Sequence, residues 1–181
     1  MRRLATVALA AVALAGVFAY LQSTKPGWYA RLWYPLEYES IVRGHARTYH
    51  LDPALLAAVI YRESKFRADA RSASGAIGLM QLLPGTAQGI ALRTGGGRFR
   101  LVDLYDPEIN VHYGAWYLRH LLHKYGDQET ALAAYNAGQD NVDRWRRQAL
   151  GIQFPETRAY VRRVLELRDI YRRAYPRELG G

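Results

Sequence analysis

The chain has 181 residues, half of them hydrophobic, which is enough for one domain of ordinary size with its own core. It contains no cysteine, and this excludes a disulfide framework, a thiolate nucleophile and a Cys-ligated zinc site. A formal charge of +9 draws it toward polyanions, but no helix-turn-helix, zinc-finger or RNP signature accompanies the arginines, so no nucleic-acid partner is expected.

Arg2 and Arg3 precede an uncharged apolar run from Leu4 to Leu21. As a helix those 18 residues reach ~27 Å, close to the hydrocarbon thickness of a bilayer. The positive flank predicts a cytoplasmic N-terminus and an exported remainder. Ala13-Leu14-Ala15 offers a signal-peptide cleavage site, yet the apolar run continues through Val17, Phe18 and Leu21 with Tyr20 at its boundary, which favours an uncleaved anchor. The expected layout is a membrane-anchor or signal segment over 1–24, a linker over 25–34 and a globular domain over 35–181.

Helical periodicity dominates the globular part, with no run of alternating β-branched residues. Asp52-Pro53 opens one helix and Asp106-Pro107 another, each an N-cap followed by a first-turn proline. The second carries Val111, Ala115, Leu118 and Leu122 and stops at Gly126. Thr130 to Ala137 reads as a short buried helix closed by Gly138. A long helix follows Pro155, with Tyr160, Val164, Leu167 and Tyr171 on its core face. Thr94 to Gly97 reads as a surface loop without the features of a phosphate loop. His120 and His123 share a helix face, but no third ligand accompanies them, so no metal site is expected.

Leu56, Ile60 and Glu63 are spaced by four and then three, so the carboxylate projects from the face that carries core residues. Burial and the carbonyls at a helix C-terminus both disfavour its charge and raise its pKa. Such an acid holds a proton near neutral pH and can donate it to a leaving oxygen.

The surrounding residues carry a resemblance. Glu63-Ser64, Gly75-Ala76 and Gly78-Leu79-Met80-Gln81, with Pro84 and Thr86, are followed by LYDPEINVHYGAWYL, ALAAYNAG and ETRAYVRRVL in order. The run from about Pro35 to Tyr175 resembles the soluble lytic transglycosylases, the SLT family related to goose-type lysozyme. Leu83 departs from the family, whose members commonly carry Met there.

The resemblance implies an all-α, lysozyme-like domain behind the N-terminal anchor or signal helix, at the extracytoplasmic face of a bacterial envelope. It implies cleavage of the β-1,4 bond between N-acetylmuramic acid and N-acetylglucosamine in peptidoglycan strands, with Glu63 as acid and then base, no cofactor and no metal. Ser64, Gln81, Leu83, Tyr135, Asn136 and Glu156 are the expected substrate-binding residues. Tyr135 would orient Glu63 or the substrate acetamido group, while Met80 and Tyr160 are expected to pack. Hydrolytic muramidase action and a non-catalytic wall-binding scaffold are the alternatives.

Overall fold

Helix α4, Pro53–Ser64, is the axis of the molecule. Asp52 caps it by accepting a hydrogen bond from the Ala54 amide at 2.9 Å, with Pro53 in the first turn where its missing N–H costs nothing. Every residue from Ala54 to Ile60 is buried, so the expected apolar stripe is a helix enclosed on all sides. Full burial of Leu55, Leu56, Val59 and Ile60 stabilises the fold by about 2 kcal/mol each. The alanines at 54, 57 and 58 are likewise enclosed and let neighbouring helices approach closely.

The computed structural model describes residues 2–180; of residues 1–6, 8 and 10 no side chain is described. Around α4 stand α3 (Glu39–Thr48), α6 (Pro107–Tyr125), α7 (Gln128–Ala137), α8 (Gln139–Arg147) and α9 (Pro155–Ala174), with the short α10 (Pro176–Leu179) behind. The most extensive helix pairing is α4 on α9. These helices enclose the main core. A smaller core, Ile77, Leu82, Ala87, Ile90, Ala91, Leu104 and Tyr113, is built by the loop after α4, α5 (Pro84–Thr94), a 3-10 turn (Leu101–Tyr105) and one face of α6. A cleft lies where the two cores meet. Among the described residues no strand forms; isolated bridges join Ile77 to Arg71 and Leu82.

The N-terminal region differs in part from expectation. Helix α1 runs over Arg2–Thr24, and its side chains at Val7, Leu9, Val12, Leu14, Val17 and Phe18 are exposed. Among the described residues no helix is long and apolar enough to cross a membrane. The apolar run from Leu4 to Leu21 extends into positions whose side chains are not described, so the expected anchor lies partly outside the described residues. The stretch 25–34, expected as a linker, instead carries helix α2, Gly27–Trp33, packed on α9. Tyr29 and Ala30 are buried there, and Arg31 bonds the Ala174 carbonyl at 2.7 Å and pairs with Glu178 at 2.8 Å. Tyr29, Ala30 and Arg31 are what seal this segment to the domain, while Trp28 and Trp33 stay exposed.

Candidate active site

Continuous burial along α4 ends at Ile60, one turn before Glu63. The helix terminates on Lys65 in the left-handed conformation (φ 53°), which turns the chain into the Ser72–Leu82 loop and leaves Glu63 half-buried on the cleft wall. The hydroxyl of Tyr160 on α9 donates to Glu63 Oε1 at 2.6 Å. Burial pushes the Glu63 pKa up; the Tyr160 bond and the Arg62 guanidinium oppose this only in part. The phenols of Tyr160 and Tyr135 lie well above the ordinary tyrosine value because both are buried and both face the Glu63 charge, so they serve as donors.

The cleft holds about 340 Å³ and is lined by Glu63, by Ser72, Ser74, Ala76 and Gln81 to Leu83 of the loop, by Thr86 and Tyr117, and by the segment Tyr135–Gly138. Glu63 is the only carboxylate among the described lining residues. Tyr135 does not bond Glu63: its hydroxyl donates to the Met80 carbonyl at 2.7 Å, tying α7 to the loop. Asn136 is exposed at the rim, its Oδ1 held by the hydroxyl of the buried Thr157 at 2.8 Å. Gly138, at φ 85° and ψ 149°, makes the α7–α8 corner in a backbone region that belongs to glycine.

The loop is pinned from beneath by Asn110, which is fully buried on α6. Its amide donates to the carbonyls of Ile77 (2.9 Å) and Leu104 (2.8 Å), while its Oδ1 accepts from the Met80 amide at 2.8 Å. Gly78 crosses over it at φ 80°, and a β-carbon there would run into the Asn110 amide and the Leu104 carbonyl.

The remaining expected site residues divide. Gln81, in the left-handed region at φ 48°, lines the cleft but spends its Nε2 on the carbonyls of Ala70 (3.1 Å) and Gly78 (2.9 Å), leaving only its oxygen for a ligand. Leu83 is exposed at the mouth of the cleft. Ser64 is not brought to the cleft: it is buried and its hydroxyl returns to the Ile60 carbonyl at 3.1 Å, because its position on the helix turns it into the core. Glu156 is exposed on the first turn of α9 and does not line the cleft. Met80 is fully buried, as expected of a packing residue. Among the described residues no carboxylate and histidine cluster fit to hold a metal is present, and His120 instead stacks on Trp116.

Three residues that shape this site escape a reading by residue type alone. Tyr160 lies on the core face of its helix and is buried, but the end of its side chain reaches Glu63. Asn110 and Tyr117 fall inside LYDPEINVHYGAWYL, where a polar residue among apolar neighbours was the available signal for Asn110.

Residues 40–153, more than half of the chain, match the family model described as the transglycosylase SLT domain. The chain belongs to the transglycosylase SLT domain family. It is 31% identical over 151 residues to the soluble lytic murein transglycosylase of Escherichia coli K12, an alignment covering 77% of this chain and 23% of that protein. It is 36% identical over 108 residues to the transglycosylase of Enterobacteria phage PRD1, covering 60% of this chain and 37% of that one. Among solved structures, an inactive mutant of lytic transglycosylase Slt from Pseudomonas aeruginosa superposes with a TM-score of 0.73 at 32% identity, over 80% of this chain and 25% of that chain. The all-α SLT fold expected from the motifs is thus the fold observed, and the chain spans between 23% and 37% of the length of these relatives.

Proposed function

We propose that this SLT domain is a peptidoglycan lytic transglycosylase with Glu63 as its single acid and base. The observation that carries the reading is a carboxyl of raised pKa, alone among the described lining residues of a saccharide-sized cleft, with one oxygen engaged by Tyr160. Because Oε1 accepts from Tyr160, the acidic proton sits on Oε2 and is available to the substrate.

In the first step Glu63 transfers that proton to the glycosidic oxygen between N-acetylmuramic acid and N-acetylglucosamine. The C1–O bond breaks, and the oxygen of the substrate's 2-acetamido group closes on C1, a role that replaces the second carboxylate of most glycosidases. In the second step the Glu63 carboxylate takes the proton of the C6 hydroxyl while O6 attacks C1 and the acetamido oxygen leaves. The product is a 1,6-anhydromuramoyl end, Glu63 regains its proton, and no water is consumed. Tyr135, Asn136, Gln81 and Leu83 would contact sugar, with Tyr135 acting chiefly by fixing the loop.

Digestion of purified peptidoglycan followed by mass spectrometry tests the reading. Anhydro ends from the wild type and at least a hundredfold loss in Glu63→Gln are expected. Reducing muramic ends would establish hydrolysis instead, and unchanged turnover in Glu63→Gln would remove Glu63 from the chemistry.

The exposed apolar face of α1 and its Arg2-Arg3 flank support placement at the membrane surface on the extracytoplasmic side. Flotation of the full chain with phospholipid vesicles tests that placement.

A further inference from the structure

A second cavity, about 600 Å³, lies between the end of α1, α2, the end of α4 and α9. Its lining brings together the cations Lys25, Arg62, Lys65 and Arg163 and, among the described residues, contains no carboxylate. Arg163 is partly compensated by Glu166 at 3.1 Å and Arg62 by the nearby Glu63, whereas Lys25 and Lys65 form no ion pair among the described residues. Collecting cations this way with incomplete counter-charge is unfavourable in the unliganded protein and becomes favourable only with an anion present.

An independent observation points to the same ligand chemistry. Tyr29 is 8% exposed and lines this cavity, and its buried hydroxyl has no hydrogen-bond partner among the described residues. An orphaned donor of this kind costs about 1–3 kcal/mol. Nearby, Tyr34 lies between the Arg163 guanidinium, which donates to its hydroxyl at 3.1 Å, and the Lys25 ammonium over its ring at 5.7 Å. Burial alone would raise the Tyr34 pKa, but those two cations hold it below its ordinary value.

The position of the cavity identifies the source of the anion. Gln22 and Lys25 reach it from the end of the apolar helix, and α2 beside it exposes Trp28, Leu32 and Trp33, the residue types that settle at a bilayer interface. We propose that this pocket binds the phosphate headgroup of an anionic phospholipid, clamping the domain to the membrane surface with the Glu63 cleft facing the wall. The proposal rests on the membrane placement above, and vesicle flotation tests that placement separately from headgroup selection.

The experiment titrates the full chain, held in neutral detergent, with short-chain phosphatidylglycerol, short-chain phosphatidylcholine and inorganic phosphate in a calorimeter. Phosphatidylglycerol is expected to bind at least tenfold more tightly than either of the others. Lys25→Gln and Lys65→Gln should each weaken it about fivefold, the effect of one cation near an anionic surface. Tyr29→Phe, which removes only the orphaned hydroxyl, should weaken it by a similar factor. Equal binding of phosphatidylcholine, or affinity unchanged in all three variants, would overturn the proposal. Inorganic phosphate binding as tightly as the lipid would make this a free-anion site, and displacement of the lipid by a stem-peptide-bearing muropeptide would assign the pocket to wall substrate; either result removes the lipid assignment.

Discussion

Glu63 shows how one side chain can be kept in the wrong environment for its charge. Burial raises its folded pKa, so between the unfolded and the folded carboxylate values the folded state binds more proton than the unfolded chain. The stability this contributes is therefore complete below the unfolded carboxylate pKa and is lost as pH rises through the folded one. Glu63→Gln removes the cost of burying charge, and urea denaturation near neutral pH should show it more stable than the wild type by about 1 kcal/mol, with the difference shrinking in acid. Tyr160 opposes the upward shift by donating to the carboxylate. In Tyr160→Phe the acid form should persist to higher pH, moving the alkaline limb of the kcat/KM profile upward. A merely structural tyrosine would change the height of that profile and leave its limb in place.

At the scale of elements, the cleft depends on irregular backbone held by side chains. The loop between α4 and α5 is irregular, and Asn110 supplies two of the contacts that fix it, at Ile77 and Met80, with a third bond to Leu104 tying in the 3-10 turn. Asn110→Ala would strand a buried amide and two carbonyls and should cost about 3 kcal/mol in denaturant titrations. Its turnover should fall as well, because Met80 and Gln81 would no longer be held at the cleft. The motif ETRAY has two jobs that a helical wheel does not separate: Thr157 fixes Asn136, and Tyr160 fixes Glu63. One turn of α9 therefore aligns α7 and α4 together.

For the whole molecule, the net charge of +9 is distributed so that, among the described residues, some arginines are paired and others are free to meet a polyanion. Arg172 is paired with Asp52 at 2.6 Å and Arg163 with Glu166, which lowers what each offers to a distant anion. Sedimentation of Glu63→Gln with insoluble peptidoglycan should still show binding that weakens as salt rises, since exposed charge is screened within roughly 10 Å at 0.1 M. Arg162→Gln should reduce that binding more than Arg172→Gln, because Arg172 already has a counter-charge. Binding insensitive to salt would assign retention to the sugar cleft alone.

Local rules were enough to read much of this chain. The caps at Asp52 and Asp106, the stop at Gly126, the long helix after Pro155 and the approach of a glutamate to the core all follow from interactions within a few residues. Contacts across the chain decided the rest. Tyr160 lies 97 residues from Glu63, Asn110 lies 30 from Met80, and α2 is sealed by a helix more than a hundred residues away. Helical period tells which face of a helix is buried, but not what the tip of a buried polar side chain will touch. That is settled only when the helices pack and each enclosed donor must find its acceptor.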